Sequence, residues 1–439
     1  MNENSEAIPR RKFIQSAAAT SAAVAAAFPS GVHAQKANAD ELKVALIGCG
    51  GRGTGAAAQA LAAGDQIKLW AMADIDGEHL DRQRQVLEKN TNPGTVDVPP
   101  DRRFVGLDAF KKVLAMDEID VVILTTPPGF RPFHFEAAVQ AGKHVFMEKP
   151  VAVDAPGVRR VLKVAAEAKA KNLKVGVGLN RRHSPVHRDL VKHLQDGVIG
   201  ELPLIQLYNC RADVNKRKNR RPEWTELEFQ VFNWYYFTWL SGDFIVEQSV
   251  HEFDVVRWIK NEENPVSCIG QGGRIVRTGP ENGQVYDHFS ADYRFADGSQ
   301  VLTTHRQIPK CWSFFGEKIS GTKGTAELAS KRSGLINVAG EEKPFYRETD
   351  KENSYQLEHD HLFEAIRNDT PFNEAERGAY ATLFAMMGRM AAYTGKEVTW
   401  EQALNDPTEI AINPTSWEDV PTILPDADLL YAEVKPGMG

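Results

Sequence analysis

Cysteine is scarce in this sequence of 439 residues, and the few cysteines are scattered. There are four, with no C-x-x-C pair among them: Cys49, Cys210, Cys268 and Cys311. This spacing indicates neither a zinc site nor a disulfide framework. Positive charge is also in deficit, since the formal net charge is −7 at pH 7. A net acidic chain argues against nucleic acid as the main partner.

Long hydrophobic runs are absent as well. The alanine-rich stretch 17–28 is too short to cross a bilayer, and no later stretch is long and apolar enough. It follows the pair Arg10-Arg11 and precedes Val32-His33-Ala34, which resembles a small-residue cleavage site. We therefore predict that residues 1–34 form a twin-arginine export signal. The mature protein is then expected in the periplasm or otherwise exported, without membrane contact.

A glycine-rich turn between a strand and a helix organises the rest of the chain. The apolar run 43–47 predicts a buried parallel strand, and it leads into Gly48-Cys49-Gly50-Gly51-Arg52-Gly53, a G-x-G-x-x-G. An alanine-rich helix former follows at 56–61. Glycines let the backbone approach a pyrophosphate closely, and a helix N-terminus presents free N–H groups to it. The order of these elements predicts a dinucleotide site.

A second apolar run, 67–73, ends at Asp74, twenty-one residues beyond Gly53. This is about where a Rossmann domain places the carboxylate that binds the adenosine ribose. A carboxylate suits the 2′-hydroxyl and repels a 2′-phosphate. We accordingly expect NAD as the cofactor, with NADP and a flavin disfavoured.

Strand and helix patterns alternate up to residue 178. Predicted helices cover 77–89, 110–116, 135–140 and 155–171, and predicted strands cover 121–124, 143–147 and 173–178. Such alternation predicts an α/β fold with a doubly wound parallel sheet and a ligand at the C-terminal ends of its strands. We assign this Rossmann domain to residues 40–180.

Four motifs of this domain together resemble the glucose-fructose oxidoreductase / inositol dehydrogenase (Gfo/Idh/MocA) family. They are Gly48–Gly53, Asp74, Thr125-Thr126-Pro127 with His134, and the stretch AGKHVFMEKP at Ala141–Pro150. The resemblance extends over about residues 42–400 and implies an oxidoreductase acting on sugar or polyol hydroxyls. It implies cofactor binding by Gly48, Gly50, Gly51, Arg52, Gly53, Asp74, Thr125, Thr126, Pro127, His134, Glu148 and Lys149.

Lys149 follows the predicted strand 143–147. In the family that the chain resembles, the lysine of E-K-P reaches the nicotinamide and the reacting hydroxyl, which implies this role for Lys149. The charge suits the role, because a cation beside the nicotinamide stabilises a developing alkoxide. Pro150 restricts the backbone of the turn.

Residues 181–439 are predicted to form a second, α+β domain. Alternating runs at 204–210, 265–276, 286–295, 300–307 and 313–320 predict an open, mostly antiparallel sheet, with helices at 186–196, 358–366 and 379–393. Asp297-Gly298 supplies a hairpin turn. The resemblance implies that the open face of this sheet is used for subunit contact, so we expect a homo-oligomer.

The segment 242–258 carries the residues expected to move the substrate proton. Glu247 and His251 are four apart, so on a helix they share one face and the carboxylate can hold one imidazole nitrogen. This spacing is typical of a general base with its positioning residue. His251 also resembles the catalytic histidine of the family, most members of which carry Asp at the position of Glu247. Asp243 is an alternative carboxylate.

Substrate contacts are predicted from Lys149, Arg181, Trp234, Tyr235, Asp243 and His251. Seven aromatic residues at 229–239 serve either as core or as a surface that stacks on a sugar ring, and neither use is favoured. The basic run 211–221 is interpreted as a solvated loop in preference to a subsite for an anionic substrate group. His183 and His187 are interpreted as polar surface, and no metal site is expected.

These features predict an exported, NAD-dependent carbohydrate oxidoreductase in which Lys149, His251 and Glu247 carry the chemistry. Two alternatives remain open. In one, transient oxidation makes a glycoside eliminate its aglycone before re-reduction. In the other, the protein binds a sugar without catalysis, against which the intact catalytic residues argue.

Export also bears on the cofactor. Because free NAD is scarce outside the cytoplasm, an enzyme that released NADH would stop after one turnover. We therefore expect the cofactor to stay bound, held by Arg52, Thr126 or the loop 92–101.

Overall fold

The computed structural model describes residues 41–214, 217–329 and 333–436. The predicted export signal, residues 1–34, lies outside the described residues. The described chain forms two separate sheets. No helix in these ranges combines the length and the apolar character needed to cross a membrane.

Six strands form the first sheet: β1 (Leu42–Ile47), β2 (Ile67–Asp74), β3 (Arg103–Val105), β4 (Val121–Leu124), β5 (His144–Met147) and β6 (Val175–Val177). All are parallel, in the order β3-β2-β1-β4-β5-β6. The order reverses between β1 and β4, which confirms the doubly wound Rossmann sheet. The sequence analysis missed β3, because three residues give no periodic signal.

Five helices cover this sheet: α1 (Gly51–Ala62), α2 (Gly77–Asn90), α3 (Ala109–Leu114), α4 (Arg131–Gln140) and α5 (Ala155–Ala170). Alternate strand residues point to opposite faces. Leu46 therefore packs in one core cluster with α1 and α2, whereas Ile47 packs in another with α3 to α5. Helix α4 begins four residues before the predicted helix, because Pro132 suits a first helical turn.

The second domain begins with helices α6 (Pro185–Gln195), α7 (Glu226–Phe232), α8 (Thr238–Ser241), α9 (Phe244–Glu247) and α10 (Val250–Ile259). Its strands are β7 (Leu204–Arg211), β8 (Ser267–Gly273), β9 (His288–Arg294), β10 (Gln300–Gln307), β11 (Phe314–Gly321), β12 (Gly324–Ala329), β13 (Ser333–Val338), β14 (Tyr346–Thr349) and β15 (Val398–Thr399). Helices α11 (Ser354–Arg367), α12 (Ala375–Thr394) and α13 (Trp400–Asn405) follow, and a C-terminal tail continues to residue 436.

The second sheet has nine strands in the order β14-β13-β12-β11-β7-β10-β9-β8-β15. The central pair β7 and β10 is parallel, and the other neighbours are antiparallel. The predicted open, mostly antiparallel sheet is thus confirmed. Gly298, with a φ of +84°, turns the chain between β9 and β10 at the predicted hairpin. The sequence analysis missed β12 to β14, whose short runs contain glycine and charged residues.

Helix α11 follows the second sheet in the chain but packs on the first. Both α4 and α5 lie on one face of the first sheet, which leaves the other face uncovered above β5 and β6. Leu362 and Phe363 of α11 lie in the same core cluster as Phe146 of β5. His359 adds a ring contact to Phe146, with centroids 4.1 Å apart. The first sheet is therefore closed by a late segment of the chain.

The C-terminal tail is tied to the first domain by Asp154. This buried carboxylate accepts a hydrogen bond from the Gly157 N–H at 2.7 Å, as the N-cap of α5. Its other oxygen accepts from the N–H groups of Ile410 and Ala411, each at 2.9 Å. One side chain thus satisfies three backbone donors and fixes the tail segment that leads to Asn413.

We predict that Asp154→Ala destabilises the protein by about 2 kcal/mol or more, because a helix cap is lost and two tail N–H groups lose their acceptor. Urea unfolding of the full chain measures the change. Asp419→Ala is the matched control, since Asp419 also accepts from two backbone N–H groups, those of Thr415 and Ser416, but only within the tail. Equal losses in the two variants would contradict the tie to the first domain.

Candidate active site

Two neighbouring cavities lie between the first sheet and the second domain. The glycine-loop cavity, of about 480 Å³, is bordered by Gly48, Gly50–Gly53, Asp74, Pro127, His134, Lys218 and Asn413, among others. The Lys149 cavity, of about 420 Å³, is bordered by Glu148, Lys149, Arg181, Arg211, Glu247 and His251, among others. The two cavities are adjacent, because both are bordered by Arg52, Thr125, Thr126 and Trp234.

The glycine loop follows β1 at the C-terminal edge of the first sheet. Gly48 has a φ of +94°, and a Cβ there would lie 2.7 Å from the Thr126 nitrogen. A Cβ on Gly53 would lie 2.1 Å from the Gly48 oxygen, so both positions exclude other residues. At Gly50 and Gly51 a Cβ would meet nothing within 4 Å. This open space at the N-terminus of α1 fits a pyrophosphate, which helix N-termini bind.

Asp74 ends β2 beside this loop. Its carboxylate accepts hydrogen bonds from the Cys49 N–H at 2.5 Å and from the Asp76 N–H at 3.0 Å. Burial raises the pKa of this carboxyl above its ordinary value. Two backbone donors leave a carboxylate with further acceptor capacity, so Asp74 can also receive the hydroxyls of a ribose.

The turn after β4 forms the opposite wall of the glycine-loop cavity. Thr125 Oγ1 donates to the Gly48 carbonyl at 2.5 Å, which joins this turn to the glycine loop. Thr126 Oγ1 lies 3.2 Å from His134 Nδ1. Burial, assisted by the charge of Arg131, lowers the pKa of His134 to about 3. The imidazole is therefore uncharged at neutral pH.

Arg131 is a structural support of the site that the sequence analysis missed. Its buried guanidinium donates to the carbonyls of Glu148, Pro150 and Thr126. It thereby ties the turn after β4 to the turn after β5, and burial lowers its pKa to about 10. An arginine within the otherwise apolar segment GFRPFHF is the signal by which it could be found.

Arg52 of the glycine loop is bound to Glu148, with Nε 2.6 Å from Oε1. Its Nη2 lies 3.7 Å from Glu358 of α11. Burial, and then the charge of Glu148, raises the pKa of Glu358 well above its ordinary value, which favours its protonated form. Glu148 is thus the main ion-pair partner of Arg52. Arg52 borders both cavities, and Glu148 borders the Lys149 cavity.

Lys149 follows β5, and its peptide bond to Pro150 is cis. Its Nζ donates to the Glu247 carbonyl at 2.6 Å and to Glu247 Oε1 at 3.2 Å. In a continuous helix the Glu247 carbonyl would accept from the N–H of His251. Here α9 ends at Glu247 and α10 begins at Val250, so this carbonyl is available to Lys149.

His251 lies in the first turn of α10 and borders the Lys149 cavity. Its Nδ1 is shielded from solvent and has no hydrogen-bond partner among the described residues. Burial, followed by the charges of Lys149 and Arg181, lowers the pKa of His251 well below its ordinary value, so the imidazole is uncharged and can accept a proton. Glu247, predicted to hold one imidazole nitrogen, does not contact Nδ1. The Glu247 carboxylate contacts Lys149 and Gln248 instead.

The prediction that Asp243 contacts substrate, or serves as the alternative carboxylate, is wrong. Asp243 is 0% exposed and borders neither cavity. Its carboxylate accepts from the backbone N–H groups of Phe244 and Tyr286 at 2.5 and 2.9 Å. The Tyr393 hydroxyl donates a third hydrogen bond at 2.6 Å. Asp243 is therefore a structural cap whose acceptors are used within the protein.

Arg181 borders the Lys149 cavity, but its guanidinium is already paired. Its Nη1 lies 2.7 Å from Glu317 Oε1, and its Nη2 contacts Glu252. Burial raises the pKa of Glu252 to about 7 and that of Glu317 to about 8. Burial therefore favours the protonated form of both carboxyls, that of Glu317 included.

The aromatic run 229–239 divides between the core and the cavity walls. Most of its members are buried in the main core, whereas Phe232 and Trp234 border the glycine-loop cavity. Trp234 also borders the Lys149 cavity, where a substrate contact is predicted for it. Tyr235, for which a substrate contact is also predicted, borders the glycine-loop cavity, and its hydroxyl lies 3.1 Å from Gln307 Oε1.

The sequence favours a solvated loop for the basic run 211–221. In the structure, basic residues of this run reach both cavities. Arg211 borders the Lys149 cavity and Lys218 borders the glycine-loop cavity. Arg217 instead pairs with Asp213 at 2.6 Å. The members of the run therefore occupy different surroundings.

His183 and His187 are not surface residues, since they are 5% and 3% exposed. His183 Nδ1 lies 2.7 Å from His361 Nδ1, and His187 Nδ1 lies 2.8 Å from Ser184 Oγ. In the described part of the chain no group of three or more His, Cys, Asp or Glu side chains could hold a metal ion. The four cysteines are unpaired.

The parallel sheet, the open glycine cradle and Asp74 define a Rossmann domain of the NAD-binding type. Comparison with known families agrees, because residues 42–178 match the model described as "Oxidoreductase family, NAD-binding Rossmann fold". Residues 42–178 are thus similar to the Gfo/Idh/MocA oxidoreductase family, and the match covers the first sheet with its helices.

Curated relatives include two inositol 2-dehydrogenases. The one from Rhizobium meliloti (strain 1021) is 27% identical over 225 residues, which cover 51% of this chain and 62% of that protein. The one from Klebsiella pneumoniae (strain 342) is 30% identical over 202 residues, which cover 43% of this chain and 52% of that protein. The matched region thus spans little more than half the length of these relatives.

Solved structures with the same fold include sugar-active enzymes. The aldose-aldose oxidoreductase from Caulobacter crescentus complexed with glycerol superposes with a TM-score of 0.65 and 20% identity, over 82% of this chain and 99% of that one. Levoglucosan dehydrogenase in complex with NADH and levoglucosan gives a TM-score of 0.64 and 18% identity, over 82% and 100%. At these identities the likeness establishes the two-domain fold.

We predict that Glu317→Gln becomes progressively more stable relative to wild type as the pH rises from about 5 to about 8. Folding raises the pKa of Glu317, so in this range the unfolded chain loses a proton that the folded chain retains. The contribution of Glu317 to wild-type stability therefore falls as the pH rises. Glutamine does not titrate, so the variant lacks this pH-dependent loss. Melting temperatures of both proteins across the range measure the difference.

Glu327→Gln is the matched control, because Glu327 is a half-buried glutamate of the same sheet that faces Lys318 at 3.8 Å. We expect its melting temperature to follow that of wild type at every pH. A difference between Glu317→Gln and wild type that stays constant with pH would contradict the assignment of the proton to Glu317.

Proposed function

We propose that the protein is an NAD-dependent oxidoreductase that oxidises a CH–OH group of a sugar, glycoside or polyol. The observation that carries this proposal is that Lys149 and His251 border one cavity, directly beside the glycine-loop cavity. The names of the relatives, inositol 2-dehydrogenase and levoglucosan dehydrogenase, support hydroxyl substrates of this class.

The residues of the Lys149 cavity divide the chemistry between them. Bound NAD supplies the hydride acceptor. His251, uncharged because it is buried, accepts the proton of the substrate hydroxyl. Lys149 stabilises the negative charge that develops on the reacting oxygen. Glu247 is a positioning residue for Lys149, since it accepts two hydrogen bonds from the ammonium group and leaves the third donor for the substrate.

The proposed cofactor is NAD and not NADP. Asp74 places a carboxylate at the edge of the glycine-loop cavity, where it suits a ribose hydroxyl and repels a 2′-phosphate.

We also propose that NAD stays bound between turnovers. The second domain covers the glycine-loop cavity with Lys218, Phe232, Trp234, Asn413 and Pro414. Side chains of both domains would partly enclose a cofactor in this cavity and slow its release. Of the expected clamp residues, Arg52 and Thr126 border this cavity, whereas the loop 92–101 does not. Such enclosure suits a protein exported with its cofactor in place, and export remains the proposed localisation.

The proposed homo-oligomer uses the open face of the second sheet. Ile269 of β8 and Leu302 of β10 both stand opposite Asp292 of β9 and therefore lie in one row across the sheet. They are 46% and 38% exposed, and nearby Trp312 is 59% exposed. Burying such apolar surface against a second copy of the chain is favourable.

Lys149→Ala and His251→Ala are each predicted to slow the chemical step by about 10²-fold or more. Each variant should retain its NAD, because neither side chain forms the glycine-loop cavity. Single-turnover reduction of bound NAD by an excess of sugar, followed through the absorbance of the reduced nicotinamide, measures this step.

The controls are Lys112→Ala and His193→Ala, which remove a lysine and a histidine that border neither cavity. Both should react at the wild-type rate. Full activity of His251→Ala would show that another group takes the proton.

NAD is predicted to remain with the protein through extensive dialysis, at about one molecule per chain. Retention against sub-nanomolar free NAD needs a dissociation constant near ~1 nM, or about −12 kcal/mol. The nucleotide released on denaturation is identified and quantified, and turnover is measured with and without added NAD. Empty protein that depends on added nucleotide would contradict retention, and released NADP would contradict the role of Asp74.

A further inference from the structure

One arginine at the Lys149 cavity has two guanidinium N–H groups, its hydrogen-bonding edge, without a partner among the described residues. Five basic residues border this cavity: Arg52, Arg131, Lys149, Arg181 and Arg211. The first four are bound by carboxylates or backbone carbonyls within the protein. Arg211, the last residue of β7, has Nε and Nη2 shielded from solvent with no hydrogen-bond partner in the described ranges.

This edge is unfavourable as it stands. Both atoms are donors of an ionised guanidinium, and a desolvated charged donor without an acceptor costs more than a paired one. Phe315 lies beside it, with its ring centroid 5.4 Å from Arg211 Cζ, but a phenyl ring offers no lone pair. The two glutamates that border the cavity are already bound to other cations. Glu252, which lies behind the cavity wall, interacts with the charge of Arg211 but accepts no hydrogen bond from Nε or Nη2. These two N–H groups are therefore left for a ligand.

The chemistry of the edge indicates which ligand. Nε and Nη2 present two parallel N–H groups, which match the two oxygens of a carboxylate. The basic residues that border the cavity also outnumber the acidic ones, which favours an anion over a neutral molecule. Because the edge is shielded, the guanidinium must turn toward the cavity to meet a ligand. Nε and Nη2 have no protein hydrogen bonds to break in that turn.

We propose that the sugar or polyol substrate carries a carboxylate and that Arg211 binds it. This inference rests on the proposed function and names its substrate class, a uronic or aldonic acid. Arg211 of the second domain holds the acidic end of the substrate while Lys149 and His251 meet the hydroxyl that reacts. The substrate thus spans the space between the domains.

The test compares acids with their neutral counterparts on the full-length, NAD-loaded protein. D-glucuronate is paired with D-glucose and D-galacturonate with D-galactose, because each pair differs only in the group at the end of the carbon chain. D-gluconate adds an aldonic acid, and glucose 6-phosphate tests whether a phosphate serves instead. The kcat/KM for reduction of bound NAD and the affinity by calorimetry are measured for wild type, Arg211→Gln and Arg221→Gln.

Arg221→Gln is the matched control. Arg221 belongs to the same basic run, is exposed, and stacks on Trp224 with its Cζ 4.8 Å from the ring centroid. It borders neither cavity. The NAD content of each variant verifies that it has folded.

We expect at least one acid to exceed its neutral counterpart by about 10-fold or more in kcat/KM. Arg211→Gln should remove this advantage by a factor of about 10 to 100, mainly through KM, because hydrogen bonds to a charged group are lost. It should leave the neutral sugars unchanged, and Arg221→Gln should change neither. The proposal is overturned if neutral sugars react as well as the acids, if the phosphate is preferred to every carboxylate, or if the two variants behave alike.

Calorimetry separates this inference from the proposed function. If no sugar reduces the bound NAD, the oxidoreductase proposal fails, whereas binding of an acid that depends on Arg211 still supports the carboxylate site. If neutral sugars reduce NAD and no acid binds, the oxidoreductase proposal holds and the carboxylate inference fails alone.

Discussion

The hydrogen bond from Lys149 Nζ to the Glu247 carbonyl is the contact on which the site depends, because it joins the edge of the first sheet to the second domain. It exists because α9 stops at Glu247. A helix that continued to His251 would use that carbonyl internally. The interruption supplies an acceptor for the lysine and begins a new helix that carries the imidazole to the same cavity. The position of a helix end thus decides how the proposed catalytic groups meet.

Burial sets the charge of the groups around this contact. His134 and His251 have lowered pKa values, which favours their uncharged form, whereas Glu317 and Glu358 have raised pKa values, which favours their protonated form. Desolvation is the largest cause in each case, since a low-dielectric surrounding disfavours the charged form. The positive charges that remain are mostly tied to carboxylates or carbonyls of the protein. The surroundings of the reacting hydroxyl are therefore fixed by packing.

Sequence reasoning reached furthest where the signals are local. The glycine loop and the strand runs of the first domain follow one another along the chain, and β4 and β10 have the predicted bounds. It failed where distant contacts decide the result. From the sequence, Asp243 resembles an available carboxylate. In the structure its oxygens accept hydrogen bonds from Tyr286 and Tyr393. A continuous helix from Glu247 to His251 is the local expectation, whereas in the structure the Glu247 carbonyl accepts from Lys149, a residue 98 positions away.

The cover that α11 provides for the first sheet constrains the order of events during synthesis. Until residues 354–367 have left the ribosome, Phe146 lacks the side chains that close its face of the sheet, and Arg52 lacks its second acidic neighbour. A nascent chain that ends at residue 178 already carries the whole matched family region and every motif for the dinucleotide, yet its core is open. The dinucleotide site that we propose is then completed late, when most of the chain is made. If the protein is exported as proposed, the nucleotide must be acquired between the end of translation and export.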